Sequence, residues 1–148
     1  TALHLWLSGN KLSEHGCKYL VESIGSLEQL AVLHLALNGN KVGDQGCKLL
    51  ADNLCRVPRL TVFQLGLRSN NIGELGCQSI GECIGTLEQL VDLRLQLSGN
   101  PVGDQGGKFL ACKLSRVPRL EVLYLGLSSN HFSEHVWMCL TAHIGSMG

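Results

Sequence analysis

The chain has 148 residues, enough for one domain, and its 45% apolar and 16% charged residues are a globular composition rather than a disordered one. Lysine plus arginine and aspartate plus glutamate number 12 each, and a net charge of zero gives no long-range pull toward nucleic acid or an anionic membrane. No apolar run approaches the roughly 20 residues that span a bilayer, so neither nucleic-acid binding nor membrane insertion is expected.

In chain order, the first element is the alternating apolar triplet Leu3-Leu5-Leu7, the period of a half-buried strand. Asn10 follows at a turn. Ser13 and Glu14 then open a helix, Ser13 as cap and Glu14 complementing the helix dipole. The same order returns four more times. The strand triplets are Leu33-Leu35-Leu37, Phe63-Leu65-Leu67, Leu93-Leu95-Leu97 and Leu123-Leu125-Leu127. The asparagines are Asn40, Asn70, Asn100 and Asn130, at one fixed interval without a single insertion. Helix caps are expected at Gly43, Gly73, Gly103 and Ser133, followed by Asp44, Glu74, Asp104 and Glu134. Spacings of four, as in Val42-Gly46-Leu50-Leu54 and Ile72-Gly76-Ile80-Ile84, give each helix an apolar face. Pro58 and Pro118 are expected to stop two of the helices.

A unit of strand, turn, helix and loop cannot bury its apolar face alone, whereas stacked copies can. The expected fold is therefore an α/β solenoid of about five 30-residue repeats, with parallel strands on the concave face and helices on the convex face. A second period is superimposed. Leu27-Glu28-Gln29-Leu30 returns at 87–90, Arg56-Val57-Pro58-Arg59-Leu60 at 116–120, and Gly43-Asp44-Gln45-Gly46 at 103–106. Two repeat types thus alternate, and each motif returns only at every second unit. The pattern L-x-L-x-L-x-x-N-x-[VI]-x-x-x-G-x-x-x-L resembles the ribonuclease-inhibitor-like class of leucine-rich repeat over essentially the whole chain. The extra leucine pair before the asparagine departs from that class and points to a longer strand or a widened turn. The chain opens Thr1-Ala2-Leu3 inside a strand pattern, so residues 1–148 are expected to be one leucine-rich-repeat domain within a longer array.

The carboxamides of Asn10, Asn40, Asn70, Asn100 and Asn130 are expected to form a structural ladder that satisfies backbone groups at the turns. Gly16, Gly46, Gly76 and Gly106 let the helices approach the sheet. Of the 7 cysteines, Cys17, Cys47 and Cys77 recur in one slot and are expected to be buried and unreactive, in a reducing, cytoplasmic compartment. The last repeat is irregular, with Val136 in the glycine slot and Trp137 in the cysteine slot, while Ile144 and Met147 keep the apolar rhythm. His135, Cys139 and His143 share a helical spacing that could suit a metal, but their slots in the repeat favour packing or solvent. No metal, cofactor or catalytic residue is assigned, and no enzyme is expected.

Between the strand leucines, alternate residues face away from the helices. Of these His4, Trp6, His34, Gln64, Arg68, Arg94, Gln96 and Tyr124 are the expected contact set for another protein. Tryptophan, tyrosine and arginine are the residue types that dominate interface energy. Arg56, Arg59, Arg116 and Arg119 are expected to complement carbonyl dipoles at helix ends. The reading is a protein-interaction or scaffolding module, part of a larger complex. The resemblance also implies an alternative, a GTPase-activating regulator working through Arg68, since such proteins share this repeat type. A permanent structural subunit of a ciliary or organellar assembly is a third reading.

Overall fold

Five strands and five helices alternate along the chain. They are β1 (Ala2–Trp6), α1 (Glu14–Gly25), β2 (Val32–Ala36), α2 (Gly43–Leu54), β3 (Val62–Gly66), α3 (Glu74–Thr86), β4 (Asp92–Gln96), α4 (Gly103–Leu114), β5 (Val122–Gly126) and α5 (Glu134–Ile144). The computed structural model describes residues 1–145, except the side chain of His143; Met147 lies outside the described residues. The strands form one parallel sheet in chain order. Each residue pairs with its counterpart one repeat on, as His4 with His34 and Gln64 with Arg94. The chain is therefore a coil whose turns stack in register.

The core is the layer between sheet and helices. Leu33, Leu35 and Leu37, with Phe63, Leu65 and Leu67, are closed off from solvent, as are Leu50, Leu54, Ile80 and Ile84 on the helices and Val42 and Ile72 just before them. At the first repeat Leu3, Leu5 and Leu7 are only half-buried, and so are Leu123 and Leu125 at the last, because each coil covers its neighbour's leucines. Strands sit about 4.8 Å apart and packed helices about 8–10 Å, so a stack of such coils bends with the sheet on the inside.

The third leucine of each triplet lies just past its strand, yet the pairing continues. Leu7 N–H donates to the Ala36 carbonyl (2.8 Å), Gly9 N–H to Asn38 (2.9 Å) and Gly39 N–H to Arg68 (2.7 Å). This is the longer ladder that the extra leucine pair implied. It ends at Gly9, Gly39, Ser69, Gly99 and Ser129, all with positive φ, where the chain turns toward the helix.

The asparagines sit inside this turn and grip the preceding coil. Asn100 Oδ1 accepts from Asn70 N–H (2.9 Å) and Ile72 N–H (3.0 Å), while its Nδ2 donates to the carbonyls of Leu67 (2.9 Å) and Leu97 (2.8 Å). Asn40 repeats all four bonds, to Asn10, Leu12, Leu7 and Leu37. Asn70 and Asn130 are equally buried. Asn10 does not share this environment: it is exposed, and its side chain reaches only the Ser8 carbonyl (3.3 Å), because no coil lies before it in the structure.

The two repeat types differ in their turns. After Asn10, Asn70 and Asn130 the next residue, Lys11, Asn71 or His131, takes a left-handed conformation; after Asn40 and Asn100 the left-handed residue is Gly43 or Gly103 instead. Pro101 cannot adopt positive φ, which suits a turn whose bend falls at Gly103, as it falls at Gly43 after Lys41. The expected helix caps are corrected at two positions: Gly43 and Gly103 are the first helical residues of α2 and α4, behind Val42 and Val102, whereas Ser13 and Gly73 hold the N-cap positions of α1 and α3, Ser13 without a side-chain bond to its helix. At α3 and α5 the capping acceptor comes from the neighbouring coil. Asp44 Oδ1 accepts from Gly73 N–H (2.7 Å) and Gly76 N–H (3.0 Å) at the start of α3. Asp104 accepts from Ser133 N–H (2.8 Å) and the Ser133 hydroxyl before α5.

Pro58 and Pro118 are not what stops the helices, since α1 and α3, which lack them, end close to the same repeat position. The helix-end arginines also act differently from expectation. Arg59 donates to Gln29 Oε1 (2.7 Å) and Arg119 to Gln89 Oε1, so each clips its repeat to the one before. The irregular last repeat is accommodated by Gly107, which stands where Cys17, Cys47 and Cys77 stand earlier. A Cβ there would lie 2.6 Å from Val136 and 3.0 Å from Phe132, so the missing cysteine makes room for the added valine, which is fully buried.

Asn100→Ala strands four backbone groups and is expected to lower stability by about 1–3 kcal/mol, with Asn70→Ala in the same range. Asn10→Ala is expected to stay within about 0.5 kcal/mol of the parent; chemical denaturation measures all three. The Ser133 bonds hold the Asp104 carboxyl below its usual 3.8. Its stabilising effect is present above that value and is lost as pH falls through the depressed one. Asp104→Asn should therefore be less stable than the parent at neutral pH and should flatten the acid limb of the stability curve.

Candidate functional site

Every second strand residue points away from the core, and in-register pairing sets these residues side by side. At the last strand position the row reads Trp6, Ala36, Gly66, Gln96, Gly126. Large residues thus flank two small ones, leaving a groove of about 360 Å³ in the sheet face. Trp6, His34, Gln64, Arg94, Gln96 and Tyr124 line it, with Ala36 and Gly66 along its base. Six of the eight residues expected on the contact surface therefore converge. His4 lies beside the groove, its ring stacked at 5.9 Å and 14° on that of Trp6. Arg68 is exposed but outside the groove, beyond the end of β3.

Glycine makes room for a neighbouring side chain at two positions of this face. A Cβ at Gly66 would come within 2.9 Å of Asn38 Nδ2, and one at Gly126 would collide with the Gln96 carboxamide. Asn38 and Gln96 therefore lie across the glycine of the following repeat. Asn38 Oδ1 accepts from Arg68 N–H (2.9 Å), and Gln96 Nε2 donates to the Tyr124 hydroxyl (3.2 Å). These bonds fix two groove walls before any ligand arrives.

Asp92 was missed by sequence reasoning. It receives two bonds from Arg94, Nε to Oδ1 and Nη2 to Oδ2, both 3.1 Å; the pair raises the Arg94 pKa and sets its guanidinium plane. The signal was available, since Asp92 lies two positions before Arg94 and hence on the same face. His4 and His34 form a second pair, with Nδ1 atoms 2.9 Å apart and rings edge to face at 4.3 Å. Burial, then the neighbouring His4 and Arg94, push the His34 pKa below its usual value against the opposing pull of Asp92. Trp6 is 74% exposed and Tyr124 53%, so neither contributes its ring to the core.

Elsewhere, burial quiets the core thiols. Burial pushes the thiol of Cys17 up to about 11 and those of Cys77 and Cys83 up to about 12; Cys47 is raised well above its usual value. Among the described residues, no three histidine, cysteine or acidic side chains gather to hold a metal. Cys139 is half-buried and His135 exposed on α5. No described helix is long and apolar enough to cross a membrane.

A family model described as "Leucine Rich repeat" matches residues 32–51 and 93–111, both running from a strand into a helix that opens Gly-Asp. Among solved structures, 48 chains match. One, titled "Leiomodin-1 Actin-Binding Site 2 (ABS2)", is 20% identical, with a TM-score of 0.72 over 98% of this chain and 79% of that chain. No curated protein matches the sequence. The fold is thus a leucine-rich-repeat solenoid of five repeats.

The exposure of the thiols sets their reactivity. Cys55 and Cys112 are exposed and Cys139 is half-buried. In the native protein at mildly alkaline pH, these three should label with a thiol reagent. Cys17, Cys47, Cys77 and Cys83 should label only after unfolding, as read by peptide mass mapping; rapid native labelling of Cys47 would contradict the buried stack.

Proposed function

We propose that this protein is a protein-binding module that holds its partner in the groove of the sheet face, through Trp6, His34, Gln64, Arg94, Gln96 and Tyr124, with His4 and Arg68 at its margins. One observation carries the reading: Trp6 and Tyr124, large aromatic rings that folding leaves largely in water, face a common groove with the oriented Arg94. Buried aromatic and arginine side chains supply most of the energy of protein interfaces. The small base formed by Ala36 and Gly66 gives a partner side chain somewhere to enter, and preformed walls lower the ordering cost of binding.

Three finer statements belong to the same proposal. The repeats are of the ribonuclease-inhibitor-like type, supported by the alternation of two turn geometries over long strand–helix units. The module serves as a scaffold within a larger complex. It forms part of a longer array, supported by apolar end faces in which Trp137 and Met138 remain exposed and the leucines of β1 and β5 half-buried.

The test uses the purified chain with a photo-crosslinking residue in place of Gln64. Actin is a rational first bait, because the leiomodin-1 fragment is titled an actin-binding site; cell extract supplies the other candidates. A stoichiometric protein crosslinked at this position is expected. Changing Trp6 and Arg94 together to alanine should weaken its binding at least 100-fold, equivalent to about 2.7 kcal/mol, without lowering the melting temperature. A partner that binds the double variant as tightly as the parent would place its contact surface elsewhere.

A further inference from the structure

We propose that His4 and His34 together bind a divalent transition-metal ion of the imidazole-preferring class, represented by Zn²⁺. The two residues are cross-strand partners in register on β1 and β2. Their Nδ1 atoms face each other at 2.9 Å, with the rings at 87°. Two Zn–N bonds of about 2.0–2.1 Å at a tetrahedral angle place the ligand nitrogens roughly 3.3 Å apart. The pair therefore has to open by only a few tenths of an ångström, within reach of side-chain rotation on an open face.

The proton balance is simple. With both rings neutral, one Nδ1 carries the hydrogen of the short contact and the other accepts it. On binding, the donor ring moves that proton to its own Nε2. Both Nδ1 lone pairs then face the metal and no proton is released. Neutral imidazole is the ligand form. Imidazole donors favour zinc, copper and nickel over magnesium and calcium.

The charges facing the pair are those of β4. Arg94 opposes a cation, but it is bound at both Nε and Nη2 to Asp92, whose charge offsets part of its field. The same bonds occupy Asp92, so water completes the coordination sphere. Trp6, stacked on His4, shields one side of the pair. The inference concerns the chain alone and stands or falls separately from protein binding in the groove.

The test is a titration of the whole chain with Zn²⁺, and with Mg²⁺ as control, after alkylating the accessible thiols. It is followed by ¹⁵N NMR of the imidazole side chains. Zn²⁺ is expected to shift Nδ1 of His4 and His34 together, with both rings protonated at Nε2, and to leave His15 and His131 unchanged; Mg²⁺ is expected to shift none. His4→Gln and His34→Gln should each lower Zn²⁺ affinity at least tenfold while retaining the parent's melting temperature, since both side chains lie on the solvent face of the sheet. Zn²⁺ signals confined to other histidines, or unchanged affinity in both variants, would overturn the assignment.

Discussion

The structure depends on how one coil satisfies the backbone of the coil before it. A tight turn leaves amides and carbonyls pointing inward, where water cannot reach and an unpaired group is costly. Here the partner comes from the next repeat. At the junctions closed by Asn40 and Asn100, one carboxamide takes two amides of the preceding turn and returns two bonds to carbonyls. No coil can close its own turn fully, which makes neighbour contact a condition of folding rather than an addition to it.

The alternation of repeat types is a second solution to the same constraint. At the junctions closed by Asn70 and Asn130 the glycine turn redirects an amide: Gly43 N–H donates to the Asn70 backbone carbonyl (3.0 Å) and Gly103 N–H to that of Asn130 (3.4 Å). The side-chain oxygens then have less to do. Asn70 Oδ1 accepts only from Val42 N–H (3.2 Å), and the buried Asn130 Oδ1 has no protein partner. These are the junctions at which Asp44 and Asp104 reach forward to the next helix. Weaker gripping by the asparagine is thus accompanied by a carboxylate cap, and the glycine and the aspartate belong together. That coupling explains why Gly-Asp recurs at every second repeat rather than at each one.

Most of the fold was legible because its determinants recur in fixed slots. The triplets, the asparagines and the helix spacing each state the period independently. What the sequence did not reveal was direction across the stack. Asp44 reads as a residue for its own helix dipole, and only the structure shows it serving α3. Arg59 likewise reads as a helix-end charge but bonds Gln29, one coil away. The contact face was half legible. Alternation identifies the outward residues, yet the groove exists because Ala36 and Gly66 are adjacent across strands. The histidines of α5 share a helical spacing legible in the sequence, while the close pair lies one full repeat apart and is joined only by strand register.

The same geometry accounts for what the repeats leave free. Leucine, asparagine and aspartate are held in place by neighbours on both sides, whereas the outward strand residues bear little of the cost of folding. They can differ from coil to coil without disturbing the stack, as Trp6, Ala36, Gly66, Gln96 and Gly126 do in a single row. Where they interact, they do so locally: Asn38 lies over Gly66, Gln96 over Gly126, and Arg94 against Asp92. Each contact spans at most one repeat boundary and stiffens a wall of the groove. A regular stack thereby presents an irregular face, whose shape is set by side-chain size across strands and whose polarity is set two residues at a time along them.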